Sequence, residues 1–109
     1  MIKEIIIGIL IIHGMIHLLG FAKGFNIAEL DQFSESISKP YGVVWFIASI
    51  LFLSSGIGFL LDQAWWVYMA IISVLLSQSL IVRFWLDAKI GTTINFILVI
   101  AILIFFNIQ

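Results

Sequence analysis

The chain has 109 residues, of which 63% are hydrophobic and 10% are charged, and its formal net charge is −1. Soluble domains average about 45–50% apolar and about 25% charged residues, so this composition excludes an ordinary water-soluble domain. The near-neutral charge gives no indication of nucleic-acid binding, and the absence of cysteine excludes disulfides, thiolate metal ligands and thiol nucleophiles.

Four apolar segments are predicted to cross a membrane as α-helices. A bilayer core of about 30 Å requires roughly 20 apolar helical residues, and helices satisfy their own backbone hydrogen bonds in lipid. The first segment exceeds the roughly 7–15 apolar residues of a cleaved signal sequence, so we expect it to be retained. The fourth is the weakest, because its uninterrupted apolar run covers only Phe96–Phe106. The predicted spans are Ile5–Phe21, Tyr41–Leu61, Ala64–Leu86 and Ile90–Ile108.

These spans predict an all-α fold, a single-domain integral membrane four-helix bundle covering residues 1–109. The long connector between the first two spans places Ile27, Leu30 and Ile37 at helical spacing. Asn26 followed by Glu29 resembles a capping box at the start of a helix. We therefore predict a short amphipathic helix over about residues 27–38, lying on the membrane surface. The other two connectors are short turns, which make the helices that they join antiparallel neighbours.

The basic residues predict the orientation of the chain in its membrane. Lys23, Lys39, Arg83 and Lys89 flank the first and third connectors, whereas Lys3 alone lies towards the opposite face. Cytoplasmic loops carry an excess of Lys and Arg, so these two connectors are expected in the cytoplasm and both termini outside.

Nearly all polar groups within the spans fall in one half of the bilayer. At a rise of 1.5 Å per residue, His17 lies roughly 7 Å and His13 roughly 13 Å from the face that bears the long connector. Ionisable groups inside a membrane are costly, so we interpret this polar layer as a candidate ligand-binding site. Its members are predicted to be His13, His17, Trp45, Ser49, Gln78, Arg83 and Asn95.

Small residues are expected to let the first two helices approach closely. Gly20 and Gly24 share one face with the two histidines, and the second span carries a matching stripe. The predicted packing residues are Gly20, Gly24, Gly42 and Gly56.

The spacing of His13 and His17 places two imidazoles on one helix face, an arrangement that is able to hold a transition metal. A metal usually takes three or four protein ligands, whereas the chain has no further His, no Cys and no carboxylate inside a span, so the metal site is the weaker alternative. Two other interpretations stay open, namely polar packing between helices and a pocket for an amphiphile.

The favoured function is a non-catalytic membrane module that binds a lipid or quinone, a partner membrane subunit or a second copy of the chain. The sequence requires no cofactor and contains no recognisable catalytic constellation. The alternatives are a redox-linked subunit that uses quinone or haem, and a small transporter in which His13 takes the place of the usual membrane carboxylate.

Three stretches, "HGMIHLLGF", "KPYG" and "WLDAKIGTTIN", resemble a bacterial four-helix integral membrane domain of unassigned function. The likeness to DoxX-like membrane proteins is looser and concerns architecture alone. The resemblance implies the fold and no activity. The matching residues are His13, Gly14, His17, Leu18, Gly20, Phe21, Lys39, Pro40, Gly42, Trp85, Asp87, Ala88, Lys89, Gly91, Thr92 and Asn95.

Overall fold

A computed structural model describes residues 1–27 and 36–108, and these residues form five helices and no strand. The all-helical prediction is confirmed for this part of the chain. The helices are α1 (Ile2–Gly24), α2 (Lys39–Leu60), α3 (Trp66–Arg83), α4 (Trp85–Ala88) and α5 (Gly91–Ile108).

The first three helices are each long and apolar enough to cross a membrane, which supports a membrane location for the chain. The helix α5 is also apolar, but its apolar stretch, Gly91–Asn107, is shorter than the three long helices. Most of the predicted surface helix, residues 28–35, lies outside the described residues.

Local signals explain where the helices begin and end. The side chain of Ser38 caps α2 by accepting a hydrogen bond from the backbone N–H of Tyr41, and Pro40 stands in the first turn, where its missing N–H costs nothing. The backbone of Phe84, with φ −112° and ψ 41°, leaves the helical region between α3 and α4. The predicted third span ran on to Leu86, whereas α3 ends at Arg83 because Phe84 turns its side chain into the protein interior.

The chain reverses between α2 and α3 in a tight turn that holds Asp62 in the left-handed region, at φ 57°. Lys3 near the start of α1 forms an ion pair with Asp62. The N-terminus and the α2–α3 turn therefore lie at the same end of the molecule.

Neighbouring helices pack in chain order, α1 on α2, α2 on α3 and α3 on α5, whereas α1 and α5 meet only sparsely. One apolar core surrounds Leu10, Phe52 and Leu98, and a second one contains Trp45 and Leu80. Along α2 and α3, Ser49 and Ser77 fall between these two cores, whereas Ser55 and Ser73 lie within the first one.

Glycines bring α1 and α2 into close contact. A Cβ atom built on Gly24 would lie 2.9 Å from the Cα atom of Gly42, and one built on Gly20 would lie 2.2 Å from the Trp45 ring. A Cβ on Gly56 would lie 2.7 Å from the Ile11 side chain. All four glycines predicted to pack helices thus lie at the interface of α1 and α2.

Candidate functional site

Hydrogen bonds join buried polar side chains of α1, α3 and α5 into one network. Nε2 of His13 lies 3.0 Å from Oδ1 of Asn95, and Nε2 of His17 lies 2.8 Å from Oγ of Ser77. Nδ2 of Asn95 donates to Oγ of Ser77 over 3.1 Å. All four residues are at most 5% exposed, so these bonds replace the water that the side chains have lost.

The partners determine which atom carries each proton when both imidazoles are neutral. Nδ1 of His17 lies 2.7 Å from the backbone carbonyl oxygen of His13, which accepts only, so this nitrogen carries the proton. Nε2 of His17 is then the acceptor, and the hydroxyl of Ser77 donates its single proton to it. Asn95 must present its amide NH₂ to Ser77 and its oxygen to His13, so Nε2 of His13 is the donor of that ring.

The network continues along α3 and α5 through a second amide. Nδ2 of Asn95 donates to Oε1 of Gln78, and Nε2 of Gln78 donates to Oγ1 of Thr92, both over 3.1 Å. Gln78 therefore faces α5 rather than the lipid.

The α2 helix contributes aromatic rings to the two histidines. The ring centroid of Phe52 lies 4.9 Å from that of His13 and 5.1 Å from that of His17. The ring of Trp45 lies 5.2 Å from that of His17. Both imidazoles are thus held between hydrogen-bond partners and ring contacts, which leaves them little rotational freedom.

A cavity of about 220 Å³ lies beside the two imidazoles, at the end of the molecule where α4 joins α5. It reaches the protein surface, because Ile16 and Ile90 in its wall are 53% and 77% exposed. An engineered apolar cavity of about 150 Å³ holds benzene, so this one has room for a ring-sized group. The wall consists of His13, Ile16, His17, Leu19, Trp45, Ile81, Asp87, Ala88, Ile90, Gly91 and Ile94.

The structure brings together five of the seven predicted site residues. His13, His17 and Trp45 line the cavity, while Gln78 and Asn95 stand behind the imidazoles in the network.

The other two predicted residues lie elsewhere. Ser49 is fully buried at the α1–α2 contact, and its Oγ has no hydrogen-bond partner among the described residues. Arg83 is exposed at the end of α3, where its guanidinium lies 5.3 Å from the Tyr41 ring centroid and 4.8 Å from that of Phe84.

Several residues of the site were not among those predicted from the sequence. Ser77 is the junction of the network, and its helical spacing from Ser73 was the available signal. Asp87, Ala88 and Gly91 enter the cavity wall because the break at Phe84 turns α4 back towards α1. Nothing in the local sequence indicates that turn.

The hydrogen bonds also decide what the histidines offer a metal. Both ring nitrogens of His17 and Nε2 of His13 are engaged, so the pair presents a single available nitrogen. Within residues 1–27 and 36–108 there is no group of three His, Cys, Asp or Glu side chains suited to a metal ion. In this arrangement the two imidazoles serve hydrogen bonding.

Comparisons of this chain with protein-family models, with curated proteins and with solved structures find no match. The resemblance to a bacterial four-helix membrane domain therefore stays a prediction.

Proposed function

We propose that this chain is a multi-pass protein of the bacterial inner membrane that binds an amphiphile, a lipid or a quinone, in the cavity beside His13 and His17. In this proposal α5 is the fourth crossing of a four-helix bundle. The excess of basic residues beside the first and third connectors supports placing both termini outside.

The observation that carries the proposal is the cavity wall. It is apolar over most of its area, while two imidazoles and the Asp87 carboxylate supply polar groups on one part of it. Ligand sites commonly combine apolar walls with a few placed polar groups. Packing alone explains the hydrogen-bond network, but packing favours filled space and does not account for a cavity next to that network.

The sparse contact between α1 and α5 supports entry from the side. A second cavity, of about 690 Å³, lies between the same two helices at the opposite end of the molecule. It is lined chiefly by isoleucines, with Lys3 at its edge. An amphiphile whose head lies beside the histidines would find an apolar surface along these helices for its tail.

Native mass spectrometry of the protein in lipid nanodiscs tests the proposal. Ala88 is half-buried in the cavity wall and its side chain forms no hydrogen bond, so Ala88→Phe fills the space and leaves every member of the hydrogen-bond network in place. We expect a bound amphiphile on the wild-type protein and its loss in Ala88→Phe.

Leu86→Phe is the matched control, since Leu86 belongs to the same short helix but is 73% exposed and outside the cavity wall. It should retain the amphiphile. A wild-type protein that carries none, or one that Ala88→Phe carries equally well, contradicts the proposal.

A further inference from the structure

We infer that the cavity selects an amphiphile whose head donates a hydrogen bond, such as the hydroxyl of a phenol or a quinol, over a head that only accepts. This inference rests on the proposed function, because it names the class of ligand for the same cavity.

The His13 ring carries its proton on Nε2. Its Nε2 donates to Asn95, as the chain of partners through Ser77 and His17 requires. A neutral imidazole carries one proton, so Nδ1 of His13 bears a lone pair and is an acceptor. No hydrogen bond among the described residues uses this atom, although His13 is only 5% exposed.

The His13 ring that bears this lone pair lies in the cavity wall. The ring carbon next to Nδ1, Cε1 of His13, is 3.7 Å from the position that a Cβ atom on Gly91 would occupy. Both residues belong to the cavity wall. Since Nε2 is engaged by Asn95, Nδ1 is the nitrogen that His13 offers to the cavity, and an acceptor without a protein partner favours a ligand that supplies a proton.

Besides His13, the cavity wall contains the polar side chains of His17, Trp45 and Asp87. Nδ1 of His17 donates its proton to the backbone carbonyl oxygen of His13. Nε1 of Trp45 is inaccessible to water, so its N–H does not reach the cavity. The carboxylate of Asp87 is itself an acceptor. The described side chains of this wall thus offer a hydrogen-bond acceptor at Nδ1 of His13 and no donor.

A pair of probes that differ only in the donor tests the inference. 4-Nonylphenol carries one hydroxyl, and its methyl ether keeps the ring, the tail and the oxygen but has no proton to donate. One hydrogen bond contributes about 0.5–1.5 kcal/mol, so we expect the phenol to bind the nanodisc-embedded protein roughly two- to twelvefold more tightly.

Ala88→Phe separates binding in the cavity from partition into the lipid. Any preference that comes from the bilayer persists in this variant, whereas the preference due to His13 disappears. The ¹⁵N resonance of Nδ1 of His13 gives a second readout, because it should move when the phenol is added and stay in place with the ether. If Ala88→Phe lowers the amount of folded protein, Ala88→Leu fills less of the same space and takes its place.

The outcomes separate the two proposals. Equal affinity for both probes, with both lost in Ala88→Phe, overturns the selection of a donor and leaves the cavity as a binding site. Absence of binding by either probe, or binding that neither filling variant reduces, overturns the proposed function together with this inference.

Discussion

Nε2 of His17 on α1 lies 2.8 Å from Oγ of Ser77 on α3, across 60 residues of chain. Ser77 also accepts the amide proton of Asn95, so this hydroxyl is the point where α1, α3 and α5 are joined. A hydroxyl has one proton to give, and that single proton decides the direction of the neighbouring bonds. The polar layer is therefore one coupled unit, in which the loss of a member leaves several buried groups unpaired.

Replacement of Asn95 by leucine should lower the free energy of unfolding by more than the loss of a single hydrogen bond would. The Asn95 side chain makes three hydrogen bonds, to His13, Ser77 and Gln78, and is 3% exposed. Hydrogen bonds between membrane helices contribute about 0.6 kcal/mol on average, so we expect Asn95→Leu to lower the free energy of unfolding by about 1–3 kcal/mol. Denaturation in mixed micelles measures this change.

The matched control for that variant is Asn107→Leu on the same helix. Asn107 is exposed, and among the described residues it donates only to the backbone carbonyl of Leu103, so its replacement should change stability by less than about 0.5 kcal/mol. Equal effects of the two variants would show that the network around Asn95 contributes no stability of its own.

The two imidazoles should be opposite tautomers. His17 donates from Nδ1 and accepts at Nε2, whereas His13 donates from Nε2. Solid-state ¹⁵N spectra of the histidine-labelled protein in lipid distinguish protonated from unprotonated ring nitrogens, and we expect one ring of each kind.

Ser77→Ala assigns the signals of that experiment. Removal of the Ser77 hydroxyl takes away the donor to Nε2 of His17, so the unprotonated ¹⁵N signal of that ring should shift. Ser79→Ala on the exposed side of α3 should leave both rings unchanged, because within the described part of the chain Ser79 donates to the backbone carbonyl of Leu76 and not to either ring. Two rings of the same tautomer would contradict the direction of the network.

Much of the helical framework follows from the sequence, because it depends on local properties of the chain. Apolar runs of the length of a bilayer predict α1, α2 and α3, and the 3.6-residue period places His13 and His17 on one buried face. Helix rise also places Gln78 and Asn95 in the same half of the bilayer, and the structure joins these two side chains by a hydrogen bond.

The remaining features of the site depend on how the helices rotate and separate, which no local signal encodes. Sequence reasoning grouped Arg83 with the binding residues by depth alone, whereas its side chain lies over aromatic rings at the end of α3. The cavity is lined by residues of α1, α4 and α5, where α4 follows the break at Phe84 and α1 contacts α5 only sparsely. Such distances between helices arise from the packing of the whole chain.

A methyl group on Gly20 should disturb the contact between α1 and α2. A Cβ atom there would lie 2.2 Å from the ring of Trp45, which is only 3% exposed, so this ring would have to shift from its contacts with His17 and Phe84. Overpacking of a filled interior costs about 1–3 kcal/mol, so we expect Gly20→Ala to lower the free energy of unfolding by that amount.

Gly8→Ala on the same helix is the control for this overpacking. No atom lies within 4 Å of the Cβ position of Gly8, so the added methyl meets no obstacle. Alanine is favoured over glycine inside a helix by roughly 0.5–1 kcal/mol, and Gly8→Ala should be neutral or mildly stabilising. Comparable losses in both variants would indicate that the Gly20–Trp45 contact is not tight in the membrane.

Cysteine labelling tests whether α5 crosses the membrane and which way the chain faces. The chain has no native cysteine, so single replacements report one position each. Gln63→Cys lies in the α2–α3 turn and Lys89→Cys between α4 and α5, and both positions are exposed. In intact cells, a membrane-impermeant maleimide should label Gln63→Cys and leave Lys89→Cys unlabelled until the cells are opened.

Asn107→Cys near the end of α5 completes this experiment, because its side chain is exposed. If α5 crosses, it should be labelled from outside, as Gln63→Cys is. Labelling of Asn107→Cys only together with Lys89→Cys would place both ends of α5 on one face and reduce the bundle to three crossings. Protection of Gln63→Cys with labelling of Lys89→Cys would instead reverse the orientation and leave the number of crossings unchanged. The three positions thus test the crossing of α5 separately from the positive-inside assignment.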